Sequence, residues 1–257
     1  MNHQPVVVGI DGSAASQVAI RWAAAEAATL DAPLRLVHAV SPGAPPPAAD
    51  LGTAVSVARD AVPELVVHAD VEVGAPSSIL VKASGDAQLI VIGSRGLGLI
   101  VGSMVGSTGL DLAANAHCPV VVVRPDLSPT GARVVIGYDG SPGSDNALYF
   151  GLAYARRHNL AVRVVAAQPA GTDLHHLTES ELRDAVYKLH GHDTELVEIT
   201  GHPAEHLLRL AADAALIVLG ARGRGGFAGM LLGSVSQTVL HHADSPVAII
   251  PATAGGR

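Results

Sequence analysis

An eleven-residue stretch of this chain occurs twice. Asp86 to Gly96 reads DAQLIVIGSRG, and Asp213 to Gly223 reads DAALIVLGARG, 127 positions later with eight of eleven residues identical. A duplicated chain of 257 residues has room for two ordinary domains of one kind, and for little else. Other landmarks repeat at nearly the same distance. Val7 to Ser13 (VVGIDGS) returns as Val135 to Ser141 (VIGYDGS) at an offset of 128, and Pro119 and Pro246 open the last apolar run of each half, 127 apart. The offset changes between Val40 and Gly74, so the difference in length falls in one loop-and-helix region. The polar stretch Arg124 to Arg133 marks the boundary, giving expected domains at 1–126 and 132–254.

Within each half, short apolar runs alternate with helical patterns. The runs lie at 5–10, 33–40, 65–71, 88–93 and 119–123, then at 133–138, 161–168, 194–199, 215–220 and 246–250. They are rich in Val and Ile and nearly uninterrupted, as parallel strands covered on both faces are. Ser13 and Ser141 stand where they cap the first helix of each half, and Pro76 and Pro203 stand where a first helical turn tolerates proline. Trp22 and Phe150 hold matching places on that first helix and are expected to pack into the core. The alternation predicts an α/β chain of two doubly wound domains, each with a parallel sheet.

Ligands of such sheets bind beyond the carboxyl ends of the strands, where the strand order reverses. Two features of each half end there. One is an aspartate just past the first strand, Asp11 or Asp139, preceded by Gly9 or Gly137. The other is a glycine-rich loop after the fourth strand that runs into a helical pattern: Gly93, Arg95, Gly96 and Gly98, then Gly106, Ser107 and Thr108 in the first half. In the second it is Gly220, Arg222, Gly223, Arg224 and Gly225, then Gly233, Ser234, Val235 and Ser236. A glycine loop that opens a helix exposes unpaired N–H groups, and these attract the oxygens of a phosphate. The spacing excludes two familiar phosphate motifs. Neither loop holds the lysine of a P-loop, the only lysines being Lys82 and Lys188, and the first strand lacks the dinucleotide fingerprint G-x-G-x-x-G. The aspartates also fit a second role, as turn or helix-capping residues beside Ser13 and Ser141.

Composition removes other function classes. A net charge of −7 argues against a nucleic-acid partner. The single cysteine, Cys118, rules out an internal disulfide and a cysteine-based zinc site, and is expected to be a small buried residue. The thirteen histidines lack metal-ligand spacing; His202 and His206 are four apart, but His202 precedes Pro203 and is read as a helix cap. No signal peptide and no apolar run of membrane-spanning length are evident, so the expectation is a cytoplasmic protein with no membrane contact.

These motifs resemble those of the ATP-binding universal stress proteins, in a tandem arrangement that covers nearly the whole chain. The pattern G-x2-G-x9-G-[ST] is matched by Gly93, Gly96, Gly106 and Ser107 and again by Gly220, Gly223, Gly233 and Ser234. The opening V-G-x-D-x-S is matched at Val8 to Ser13, and with Ile136 in first place at Ile136 to Ser141. The resemblance implies five-stranded sheets in the order 3-2-1-4-5, related by a pseudo-two-fold axis with their last strands paired. It implies adenine and ribose near the first aspartate and the end of strand two, at Ala39-Val40 and Ala167-Gln168, with the triphosphate, and Mg2+ carried on it, along the glycine loop. It further implies a regulatory stress-response role, a homodimer and an unidentified protein partner. A slow ATPase or phosphotransferase, and a nucleotide-free interaction module, remain the rival readings. The copies differ: Gly109 stands where the second half has Ser236, and Leu97 to Val101 is more apolar than Arg224 to Ala228. The second site is therefore expected to be the better one.

Overall fold

All ten apolar runs become strands in the computed structural model, which describes residues 4–41, 43, 50–94, 105–125, 131–168, 194–224 and 232–252. The chain forms two units, Met1–Leu127 and Ser128–Arg257. The first unit runs β1 (Val6–Ile10), α1 (Ala14–Thr29), β2 (Leu34–Val40), α2 (Leu51–Ala61), β3 (Val67–Val73), α3 (Pro76–Ala83), β4 (Leu89–Gly93), α4 (Ser107–Asn115) and β5 (Val120–Val123). Every pairing is parallel, and the order is β3-β2-β1-β4-β5. The described residues of the second unit give β6 (Arg133–Tyr138), α5 (Pro142–His158), β7 (Ala161–Gln168), β8 (Thr194–Thr200), α6 (Pro203–Leu210), β9 (Ala214–Gly220), α7 (Ser234–His242) and β10 (Val247–Ile250). Its order, β8-β7-β6-β9-β10, repeats that of the first.

The inner strands carry the core. Val6, Val7, Val8, Ile90 and Val91 of the first unit, and Val134, Val135, Ile136, Leu216 and Val218 of the second, are wholly buried. At the end of each sheet the chemistry changes. On β3, Val71 and Val73 are exposed, and Asp70 and Glu72 accept from Arg35 of β2 at 2.7 and 3.0 Å. Glu195 of β8 likewise accepts from Arg163 at 2.8 Å and Arg133 at 3.2 Å. Charges on the outermost strands disfavour further strand pairing there.

Helix starts follow the expected signals. Ser13 Oγ accepts from Ser16 N–H and Ser141 Oγ from Ser144 N–H, each at 3.2 Å, and Pro76 and Pro203 are the first residues of α3 and α6. His202 does hold the cap position of α6, but its side chain makes no capping bond. Trp22 and Phe150 depart from expectation: both are only half-buried. The rows of α1 and α5 that meet the sheet are filled by small or slender residues, among them Ala19, Ala23 and Ala27, and Ala147, Gly151 and Ala155. A side chain at Gly151 would begin 2.6 Å from Ile136 Cδ1, so these helices lie too close to the strands for a ring between them.

Cys118 is buried, and burial pushes its thiol from the ordinary 9.0 up to about 12. A raised acid favours the neutral form in the folded chain. The stability it contributes is complete below about pH 9 and is lost as pH climbs toward 12. Urea melts at pH 8 and pH 10.5 should therefore show a larger alkaline loss for the native chain than for Cys118→Ala. An equal loss in both would deny the thiol this role. Among the described residues, no helix is long and apolar enough to cross a membrane.

Candidate functional site

The strand order reverses at β1 in the first unit and at β6 in the second, since each pairs with the second strand on one side and the fourth on the other. Asp11 and Asp139 follow these strands, and Gly93 and Gly220 close their neighbours β4 and β9. The predicted convergence is thus present in both units. Gly12 and Gly140 take φ of 82° and 73°, a left-handed turn that turns the chain from strand to helix.

Asp139 is a turn residue that also reaches the loop after β9. Its Oδ1 accepts from Ser141 N–H at 3.0 Å and from the Ser141 hydroxyl at 2.6 Å, while Oδ2 accepts from Arg224 N–H at 2.9 Å. One carboxylate therefore joins the β6 turn to the glycine loop after β9. In the first unit Asp11 Oδ1 accepts from Ser13 N–H at 3.0 Å, the same turn. Arg95, Gly96 and Gly98 of its loop, and Gly225 of the other, lie outside the described residues.

The glycines divide into two groups. A Cβ at Gly93 would lie 2.8 Å from the Ala15 carbonyl carbon, and one at Gly220 would lie 2.7 Å from that of Gly143. Both exist so that the first turn of α1 or α5 can rest on the strand end. Gly9 and Gly137 also serve packing, with Leu80 Cδ1 at 2.8 Å from the same imagined atom at Gly9 and Leu219 Cδ2 against that at Gly137. Gly223 faces Asp139 Oδ2, which a Cβ there would strike. Gly106 is different. Among the described residues, a Cβ there meets nothing within 4 Å, and one at Gly233 meets only ordinary contacts from 3.4 Å outward. Their φ values of −71° and −69° suit any residue. Both are the N-cap residues of α4 and α7 and offer no capping side chain. Among the described residues, no acceptor meets the N–H groups of Ser107, Thr108, Ser234 or Val235. Among the described residues, two helices thus begin with bare amides behind a glycine that no neighbour requires.

Val40 ends β2, half-buried, and Arg222 and Arg224 are exposed. Ser236 is not a spare donor: its hydroxyl gives its proton to Gly220 O at 2.7 Å, fastening α7 to the end of β9. At Gly109, the counterpart, a Cβ would sit 2.7 Å from Val105 Cγ1 and 3.2 Å from Ile92 Cδ1, so buried Val105 has taken the room. Gly109→Ser should therefore destabilise the first unit by about 1–3 kcal/mol, as overpacking does, and Val105→Ala should relieve it. A lone Gly109→Ser variant melting at the wild-type temperature would contradict this.

Two residues escaped the sequence reading. Ser94, where the second loop has Ala221, is wholly buried with its hydroxyl lacking a partner among the described residues. Tyr138, just before Asp139, is buried and donates to Asp145 Oδ1 at 3.0 Å. Burial and then the Asp145 charge push its hydroxyl well above the ordinary value. Neither the burial of Ser94 nor the Tyr138–Asp145 bond is encoded locally, because each depends on where a strand end and a helix come to rest.

The chain is a pair of doubly wound α/β units, each with a glycine-led helix start beside its switch point. Residues 2–124 and 132–251 each match the universal stress protein family. A universal stress protein of Mycobacterium tuberculosis is 33% identical, with 95% of each chain covered, and one of Mycolicibacterium smegmatis is 32% identical over 95% of this chain and 96% of its own. A universal stress protein of Archaeoglobus fulgidus superposes with a TM-score of 0.73 over 96% of both chains at 19% identity, a likeness of fold. The chain belongs to the universal stress protein family, with two of the family's domains in tandem.

Proposed function

We propose that each unit binds an adenine nucleotide, ATP, and that the protein acts as a stress-response regulator rather than as a dedicated enzyme. The observation that carries this reading is the pair Gly106 and Gly233. Packing accounts for Gly93, Gly220, Gly9 and Gly137, but among the described residues nothing accounts for glycine at the start of α4 and α7. A polyanion that must approach bare amides closely does account for it. The phosphates would be held by the amides of Ser107 and Thr108 in one unit and of Ser234 and Val235 in the other. Asp11 and Asp139 stand where a ribose would hydrogen-bond, and Val40 where adenine would pack. The exposed Arg222 and Arg224 supply positive charge beside the second site. Among the described residues, no three His, Cys, Asp or Glu converge. A magnesium ion would accordingly travel on the phosphate oxygens, neutralising charge as the nucleotide enters. The buried thiol of Cys118 fits a reducing cytoplasm.

Small molecules released from freshly purified protein and weighed by mass spectrometry test this reading. Adenine nucleotide in near-stoichiometric amount is expected. A preparation free of nucleotide that also fails to retain added ATP would refute it.

A further inference from the structure

Among its described residues the first unit holds a pocket beside the Asp11 turn, on the face of the sheet opposite α4. Alternation along the strands fixes the two faces: Gly9 and Ile92 turn toward α3 and α4, whereas Ile10 and Gly93 turn toward α1. The pocket opens on the α1 and α2 side. Ile10, Ile20 and Ala54 form its buried floor, with Gln17, Asp50 and Thr53 at the rim, and its volume is about 160 Å³. That is room for a single small ring, in a pocket open to solvent and lined by polar as well as apolar groups.

The duplication shows what suits such a place. The counterparts of Ile10, Gln17 and Ile20 are Tyr138, Asp145 and Leu148, 128 positions on. In the second unit the tyrosine ring rises from the strand end, is 3% exposed, and gives its hydroxyl proton to Asp145 on the helix at 3.0 Å. In the first unit the shorter Ile10 stands below a pocket instead, and Gln17 takes the place of the acceptor with a carboxamide oxygen. Asp50 adds negative charge at the rim, fixed by Gly52 N–H at 2.9 Å and the Thr53 hydroxyl at 2.6 Å.

We propose that this pocket is a binding site for a single-ring aromatic carrying a hydrogen-bond donor, of the phenol class, seated where the Tyr138 side chain sits in the other unit. The floor supplies apolar contact for the ring and Gln17 accepts from its donor. Asp50 disfavours aromatic acids.

The probe is p-cresol, the tyrosine side chain as a free molecule, titrated into the full chain by ligand-observed NMR without nucleotide. Saturable binding is expected, and p-hydroxybenzoate should bind at least tenfold more weakly. The pair Ile10→Tyr and Gln17→Asp, which copies the second unit, should weaken p-cresol at least tenfold. Ala54→Leu, which fills the pocket from α2, should do the same. Absence of saturation by the wild-type chain would overturn the proposal. So would undiminished binding by either variant when its circular dichroism matches the wild type, or equal binding of the acid.

Discussion

Gly220→Val is expected to destabilise the second unit by about 3 kcal/mol or more, the upper end of what overpacking costs. The added carbon would lie 2.7 Å from the carbonyl carbon of Gly143, 2.8 Å from its oxygen and 3.1 Å from Ser144 N. These are backbone atoms, so no side-chain rotation relieves the contact and α5 must move off the sheet. That helix brings Ala147, Leu148, Leu152 and Ala155 into the core, and their burial is lost in proportion to the movement. Against a typical domain stability of about 5–15 kcal/mol the loss is large. Gly93→Val should behave alike in the first unit, where Ala15 lies 2.8 Å away. Urea unfolding followed by circular dichroism is the measurement, and Trp22, the sole tryptophan, adds a probe confined to the first unit. A wild-type midpoint for Gly220→Val would mean that the helix and strand end are not in contact.

The second large effect is on binding and spares the fold. Gly106→Asp and Gly233→Asp each place a carboxylate at an N-cap where a Cβ is tolerated. Aspartate is a better cap than glycine by a few tenths of a kcal/mol, because its oxygen accepts from the bare amides one turn in. Helix stability should hold or rise slightly. Nucleotide affinity should fall at least 100-fold, about 2.7 kcal/mol, since the amides are then occupied and a negative charge stands where a phosphate would. Asparagine at the same positions separates the two causes: it caps without charge and should weaken binding less. Equal ATP affinity in wild type and both aspartate variants would remove the helix starts from the site.

Much of the architecture was legible because buried parallel strands write themselves as unbroken Val and Ile runs, and because the chain states its domain twice. The order of strands came from the family resemblance, and the pairings agree with it. What a glycine is for was not legible. Gly93 and Gly106 look alike in the sequence, yet one is demanded by Ala15 and the other by none of the described residues, a difference visible only once α1 rests on β4. The aromatic residues misled for a related reason. Trp22 and Phe150 promise core, but the helices approach the sheet through alanine and glycine and leave the large rings half outside. Likewise Gly109 read as a missing hydroxyl, while the structure shows its room given to Val105 and the Ser236 hydroxyl already bound to Gly220 O.

Calorimetric titration of the intact chain with ATP, set beside the Gly106→Asp/Gly233→Asp double variant, tests the central claim most directly. Saturable binding by the wild type and its loss in a folded double variant is the predicted result. A wild-type chain that takes up no ATP, or a double variant that binds it as well as the wild type, would contradict the claim that bare amides at two helix starts hold the nucleotide.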